Sequence, residues 1–352
     1  MRVLLTGGAG FIGSHVADQL SAAGHDVVLV DDLLPQAHGS GGPPGHVREH
    51  RFVRGSTTNP DVLRPLLSEV DAVCHQAALV GHGLTPGDAP AYALHNDYGT
   101  AVLLAEMHAA GVAKLVLASS MVVYGEGRYS CEAHGVVAPQ PRQDADVRAG
   151  MFDPRCPECA RPLRSRTVPE DAPLRPRSTY AATKLAQEHL AAAWSRQTGG
   201  EVWALRYHNA YGPRMPRNTP YAGVASLFRS ALERGEAPTV LEDGDQRRDF
   251  VHVRDVARAN VLALEAAGAP GELTALNVCS GAAHTVGDLA RALAAACGGP
   301  EPRIVGGART ADVRHVVADP TRAEEVLGFR ARVSFAAGIA SFASEPLRDP
   351  VG

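Results

Sequence analysis

Tyr180 and Lys184 bracket the run Tyr180-Ala181-Ala182-Thr183-Lys184, four residues apart. On a helix that spacing makes a phenol and an ammonium neighbours on one face. A phenol has a pKa of ~10 in water and a nearby cation favours the phenolate, so the pair predicts a base that takes a proton from an alcohol near neutral pH. Many helices carry such a pair by chance, and its meaning depends on what accompanies it. Lys114-Leu115-Val116-Leu117-Ala118 reads as a strand, and Ser119-Ser120 follow at its C-terminal end. Ser120 there can hydrogen-bond the reacting oxygen.

Oxidising an alcohol also requires a hydride acceptor, and the first residues offer a place for one. Val3-Leu4-Leu5 reads as a strand, Ile12, Val16 and Leu20 as the apolar face of a helix, and Gly7, Gly10 and Gly13 as the turn between them. A helix N-terminus, here opened by Phe11 and Ile12, presents unpaired N–H groups and partial positive charge. Glycines let a pyrophosphate reach that backbone. The segment predicts a bound dinucleotide. The next strand, Asp26 to Val30, runs into Asp31-Asp32. A carboxylate at that point accepts the adenosine ribose hydroxyls and repels a 2′-phosphate, which favours NAD over NADP with Asp31 as the leading contact. The blander reading is a solvated charge at a strand end.

These groups need a scaffold that brings strand ends together. Apolar runs at Val3–Leu5, Val27–Val30, Phe52–Val53, Ala72–Cys74 and Leu115–Leu117 alternate with helical stretches such as 91–110, 179–197, 224–234, 253–267 and 286–297. Such alternation specifies an α/β fold with a doubly wound parallel sheet of the Rossmann type, its ligand crevice at the C-terminal strand ends. At 352 residues the chain suits a nucleotide-binding domain with a smaller α/β substrate domain. The expected division is residues 1–125 and 171–206 for the first, 126–170 for an insertion, and 207–352 mainly for the second, with 250–280 partly returning to the central sheet. A segment at 39–50, rich in Gly and Pro, predicts a surface loop. A net charge of −4 gives no footprint for nucleic acid. No apolar run reaches membrane-spanning length, and Met1-Arg2 leads directly into the first strand, so a cytoplasmic protein is expected. Six cysteines in a reducing compartment require an explanation other than disulfides.

Three of the cysteines and one histidine fall in the insertion, which is far longer than the roughly 4–6 residues that usually join elements. Cys131-Glu132-Ala133-His134 and Cys156-Pro157-Glu158-Cys159 are two tight pairs able to face one ion. Together Cys131, His134, Cys156 and Cys159 form a tetrahedral, closed zinc set that would order a Pro-rich segment lacking a core. A redox pair or a coincidence of loop residues is the alternative. The insertion starts after the Ser120 strand and ends before Tyr180, so it could cover the site or offer a partner surface. Cys74, Cys279 and Cys297 sit in apolar patterns and are expected in the core.

With these residues in view, the chain resembles the extended short-chain dehydrogenase/reductase family in its NAD-dependent nucleotide-sugar epimerase and dehydratase branch. Besides the glycine turn, Ser120, Tyr180 and Lys184, the resemblance rests on His75-Gln76-Ala77-Ala78, Asn96-Asp97-Tyr98-Gly99-Thr100, the run from Leu205 to Arg214, and Arg248-Asp249-Phe250-Val251-His252-Val253. The resemblance implies that Tyr180 is the base, that Lys184 meets the nicotinamide ribose and that Ser120 orients the substrate hydroxyl. It further implies that Ala77, Ala78, Asn96 and Tyr207 contribute to the cofactor site. For the substrate it implies that Asn209, Arg248 and Arg309, with Asp312 nearby, meet the sugar diphosphate, and that Val224 lines the base pocket. Two guanidiniums suit two phosphates. A homodimer, formed through the Tyr180 helix and the one before it, is implied in the same way.

The reaction is narrowed by what stands beside Ser120. Dehydratases of this branch carry Asp and Glu where this chain has Met121 and Val122, and decarboxylases usually carry Glu at the second position. Neither Met121 nor Val122 moves a proton, and no additional Cys or His lies near that strand for 3,5-epimerisation. What remains is 4-epimerisation, which needs one base and one bound NAD. By resemblance the favoured substrate is a dTDP-6-deoxysugar such as dTDP-L-rhamnose, with UDP-hexose or UDP-hexuronate as the alternative. His208, where many relatives have Phe, is either a specificity contact or a packed histidine. Gly55-Ser56 stands where relatives often show Gly-Asp, so adenine is expected on backbone and Thr57. A competing reading, a regulatory NAD-binding protein that docks a partner through the insertion, leaves the Ser120, Tyr180 and Lys184 set without a purpose.

Overall fold

The computed structural model describes residues 1–38, 42–81, 85–217, 223–308 and 312–348. In chain order the strands are β1 (Arg2–Thr6), β2 (Asp26–Asp31), β3 (Arg51–Arg54), β4 (Ala72–His75), β5 (Lys114–Ser120), β6 (Arg128–Cys131), β7 (Gly135–Val137), β8 (Arg164–Val168), β9 (Glu201–Tyr207), β10 (Asn209–Tyr211), β11 (Thr239–Leu241), β12 (Arg247–His252), β13 (Leu273–Val278), β14 (Ala283–Thr285), β15 (Arg303–Gly306) and β16 (Val317–Ala318). The helices are α1 (Phe11–Ala22), α2 (Pro35–His38), α3 (Pro60–Leu67), α4 (Ala89–Tyr92), α5 (Gly99–Ala110), α6 (Asp144–Arg148), α7 (Thr179–Thr198), α8 (Val224–Glu233), α9 (Val253–Glu265), α10 (Val286–Cys297), α11 (Thr321–Leu327) and α12 (Phe335–Ser344).

Seven strands form one parallel sheet in the order β13-β9-β5-β4-β1-β2-β3. Its strands are apolar on both faces because both are covered, as βαβ crossovers require. Side chains alternate with period two. Val3, Leu5, Val27 and Leu29 pack with Val16 and Leu20 of α1 and Val256 and Ala259 of α9. Leu4, Val28, Val73 and Leu115 pack on the other face with Leu63 of α3, Leu103 and Met107 of α5, and Trp194 of α7. The Rossmann architecture expected from the pattern is thus what forms. β13 is the edge strand beside β9, so residues 273–278 belong to the central sheet.

A second core surrounds Tyr211, Phe228, Phe250, Leu293 and Phe342, where α8, α10 and α12 cover the small sheet β10-β12-β14. The insertion folds as β6, β7 and β8, and its sheet is completed by β16, giving the order β16-β8-β6-β7. It has a small core after all, made of Tyr129, Cys131, Cys156 and Leu163.

Two local expectations change. The helix anticipated over 91–110 is interrupted by a π-helical segment, Ala93–Tyr98. The wider turn accompanies an inward Asn96, which accepts from Leu79 N at 2.7 Å and donates to Leu79 O at 3.0 Å and to Thr183 Oγ1 at 3.0 Å. The loop expected at 39–50 contains a 3-10 helix, Gly45–Glu49, because Val47 is buried against the core; residues 39–41 lie outside the described set. Among the described residues no helix is long and apolar enough to cross a membrane.

Candidate active site

Two clefts meet at the C-terminal edge of the sheet. The first, of about 310 Å³, is lined by Gly7, Gly10, Phe11, Ile12, Gly13, Asp31, Asp32, Ala77, Ala78, Tyr180, Lys184 and Tyr207. Of the residues assigned to the cofactor by sequence, only Asn96 is not among them; it is fully buried and clamps the loop after β4 to α7.

The glycines are there for close approach. Gly7 has φ +68°, and a Cβ on it would lie 2.6 Å from Ala77 N; one on Gly13 would lie 2.1 Å from Gly7 O. Helix α1 starts at this crossing with no side-chain cap and no acidic residue in its first turn, so its N–H groups remain available to an anion. The donor set fits a dinucleotide pyrophosphate. Asp31 is anchored by accepting from Ala9 N at 3.1 Å and Leu33 N at 2.9 Å; each oxygen keeps a lone pair for a ribose hydroxyl. Burial raises the Asp31 and Asp32 carboxyls above the usual range. Thr57 lines the cleft, whereas the Ser56 hydroxyl lies 2.9 Å from Thr58 Oγ1.

The second cleft, of about 660 Å³, is lined by Ser120, Met121, Val122, His208, Asn209, Val224, Arg248 and Asp312 among others. The sequence-predicted substrate residues therefore gather here, except Arg309, which lies outside the described residues. Arg248 donates to Val313 O at 2.6 Å and to Arg314 O at 2.8 Å. Asn209 Oδ1 and His208 Nδ1 are buried with no partner among the described residues, which suits a polar ligand. The tautomer of His208 follows from its neighbours. Asn277 Nδ2 donates to Val168 O at 2.9 Å, so Asn277 Oδ1 is the acceptor that faces His208 Nε2 at 3.4 Å. Nε2 then carries the proton and Nδ1 is a bare acceptor; burial pushes His208 down to about 4, so the ring is neutral.

Tyr180 lines both clefts. Its helix α7 is capped by Ser178 Oγ, which accepts from Ala181 N at 3.2 Å. The helix is pinned one turn past Lys184 by Glu188, which takes Arg206 Nε at 2.9 Å and Nη2 at 2.8 Å, both side chains 5% exposed. Ser120 lines the second cleft together with Tyr180. Lys184 Nζ donates to Ala118 O at 3.0 Å and lies 5.9 Å from the Tyr180 ring centre. Burial raises the Tyr180 phenol, and Ser120 opposes that rise. Burial also pulls Lys184 down to about 8, against the raising effect of Glu188 and Asp97.

In the insertion the four predicted ligands converge. Their ligand atoms lie within 4.8 Å of one another. Cys131 Sγ is 3.6 Å from His134 Nδ1 and from Cys159 Sγ, and Cys156 Sγ is 3.4 Å from His134 Nδ1. Ligands ~2.3 Å from a tetrahedral zinc sit ~3.8 Å apart. Backbone N–H groups of Ala133 and His134 help pull Cys131 down to about 6, and Glu158 stands 3.6 Å from His134 Nε2, where a carboxylate would orient the imidazole if Nδ1 met a metal.

Some lining residues were not foreseen. Arg348, late in the chain, donates to Ala9 O at 3.1 Å and to Ala37 O at 2.7 Å beside the glycine turn. His38 and His95 approach Asp31 and Asp32 at 3.5 and 3.9 Å. No local spacing announces them.

Comparison with known proteins agrees with this geometry. The model of the NAD dependent epimerase/dehydratase family matches residues 3–147 and 150–279. The chain is 35% identical over 343 residues to dTDP-L-rhamnose 4-epimerase of Burkholderia thailandensis, covering 96% of this chain and 93% of that one. UDP-glucose 4-epimerase of Thermotoga maritima, solved with UDP-glucose, superposes with a TM-score of 0.79 at 30% identity over 97% of both chains. The UDP-glucose 4-epimerase of Thermus thermophilus, solved with NAD, gives 0.77 at 30% identity over 97% of this chain and 98% of that one. A glycine turn beneath one cleft, a tyrosine common to two, and matches along nearly the whole chain lead to one conclusion: this protein belongs to the NAD-dependent epimerase/dehydratase family.

Proposed function

We propose that this enzyme inverts C4 of a nucleoside-diphosphate sugar, a dTDP-6-deoxysugar such as dTDP-L-rhamnose in first place, by transient oxidation and re-reduction. The observation that carries this reading is the position of Tyr180, whose side chain borders the cofactor cleft and the substrate cleft at once. NAD, when bound, supplies the hydride acceptor and a positive ring that favours the Tyr180 phenolate. Tyr180 takes the C4 hydroxyl proton and returns it, Ser120 holds the reacting oxygen, and Lys184 offers an ammonium to the ribose. Asp31 and the first turn of α1 hold the dinucleotide between turnovers, since the two half-reactions leave no net redox change. Arg248 meets the diphosphate and Val224 the base.

Met121 and Val122 line the substrate cleft next to Ser120. Neither can serve as acid or base for elimination, and their apolar atoms favour a sugar methyl over a hydroxymethyl or carboxylate. The similarity to a dTDP-L-rhamnose 4-epimerase supports the same choice. UDP-hexose is the second reading, supported by the similarity to UDP-glucose 4-epimerases. Incubation with dTDP-L-rhamnose, UDP-glucose and UDP-glucuronate, followed by NMR, tests it: inversion at C4 of the 6-deoxysugar is expected, whereas a stable 4-keto product would overturn the assignment.

We also infer that Cys131, His134, Cys156 and Cys159 hold a structural zinc, with no position left for catalysis. Metal analysis is expected to give about one zinc per chain. A homodimer through α5 and α7 is the assembly we favour, and exposed Leu94 and Tyr98 just before α5 offer apolar surface for it.

A further inference from the structure

Resting on the reading of Arg248 as the diphosphate contact, we propose that the metal-bearing insertion is a brace for that arginine, so that zinc occupancy sets the affinity for the nucleoside diphosphate. Arg248 is held by main-chain carbonyls of Val313 and Arg314, and among the described residues no carboxylate forms an ion pair with it. Its charge therefore stays available to an anion, but its aim depends on where the backbone at 312–315 lies.

That backbone is gripped by the insertion at three points. Arg142 Nη2 donates to Asp312 O at 2.6 Å. Asp153 accepts from Arg314 Nε at 2.9 Å and lies 3.1 Å from His315 Nε2. Tyr129 Oη accepts from His315 N at 3.1 Å. Beyond them, β16 pairs in parallel with β8. Tyr129 precedes Cys131 by two residues and Asp153 precedes Cys156 by three. Tyr129, Cys131 and Cys156 share a small core with Leu163, separate from the one in which Val168 packs on Val316. Four buried side chains are too few to hold such a segment unaided, and a metal joining the two knuckles supplies the missing cross-link. Ser120, Tyr180 and Lys184 stand on the central sheet and its helix and make none of these contacts. Loss of the brace should therefore weaken nucleotide binding and spare the cofactor.

The test uses the purified full-length enzyme with its NAD. Zinc content, NAD content and calorimetric affinity for dTDP and for UDP are measured before and after chelation, and in Asp153→Ala and Asp153→Asn. Chelation and Asp153→Ala are each expected to raise the Kd of the preferred diphosphate about tenfold, the worth of a charge-assisted bond, with NAD content unchanged. Asp153→Asn, which keeps an acceptor, should recover part of the loss. Unchanged affinity after zinc removal overturns the proposal, as does a protein purified without zinc, or loss of NAD in step with loss of affinity. Arg248→Ala binding either diphosphate as tightly as the parent enzyme would instead refute the reading of the cleft itself, a separate failure.

Discussion

The two clefts meet at a common wall of Tyr180, Tyr207 and Ala210 and are built differently on either side of it. The floor of the cofactor cleft is backbone, a strand, a glycine turn and a helix start within residues 2–22, and the tolerances of that floor are set by whether a Cβ is absent, while Asp31, Ala77, Tyr180 and Lys184 form the walls. The substrate cleft is made of side chains from β5, β12, α8 and the stretch at 312–316, held in register by ion pairs across long separations in sequence, such as Arg142 with Glu242 at 2.8 Å. A floor built from one short segment can be moved only by damaging that segment. A site assembled from distant pieces can be retuned by altering any of its supports.

The sharpest way to break this contrast is at the shared wall. Tyr180→Phe removes the proton acceptor of both half-reactions, so turnover is expected to fall about a thousandfold or more, while NAD released on denaturation stays at the parent level; retained turnover removes Tyr180 as the base. Next comes the pin beneath it. Glu188→Gln strips the buried partner from Arg206 and is expected to cost about 3–5 kcal/mol of unfolding free energy in urea, a large part of a typical total. In the backbone-built cleft, Gly13→Ala forces a Cβ against Gly7 O and is expected to destabilise the turn by about 1–3 kcal/mol, read as NAD lost on dialysis with dTDP affinity retained.

A gentler probe uses pH. The Lys184 ammonium, pulled down to about 8 by burial, is present below that pH and lost as pH rises through it. Turnover should therefore decline on an alkaline limb near pH 8, and Lys184→Arg, charged throughout, should abolish the limb at a lower overall rate. The smallest effect is expected in the side-chain-built cleft. Val122→Thr adds a hydroxyl beside Ser120 and should shift the kcat/KM ratio of dTDP-L-rhamnose to UDP-glucose by a few-fold, about 1 kcal/mol.

The same contrast explains what was readable in the sequence. The glycine turn, Asp31, and the Tyr180–Lys184 pair are local patterns whose geometry follows from one element, and the knuckles at Cys131 and Cys156 announce themselves by spacing. The alternation of strands and helices likewise yields the central sheet, because period and burial go together. Asn96 was legible as a motif residue but not as a clamp, since its inward turn needs a π-helical segment that no local signal predicts. The burial that raises the Tyr180 phenol was not legible, because it depends on everything packed around the ring. Arg142, Asp153 and Arg348 were not singled out, because an arginine or aspartate in a polar stretch looks the same whether it faces water or a carbonyl far along the chain.

The pairing of β8 with β16 has a practical meaning for protein engineering. Trimming residues 126–170 would strip β16 of its neighbour, leaving Val317 and its backbone groups as a raw edge open to intermolecular strand addition. Transplanting the module into another scaffold would likewise fail unless 312–318 travelled with it. What looks in the sequence like a removable appendage is, in three dimensions, stitched into the far end of the chain.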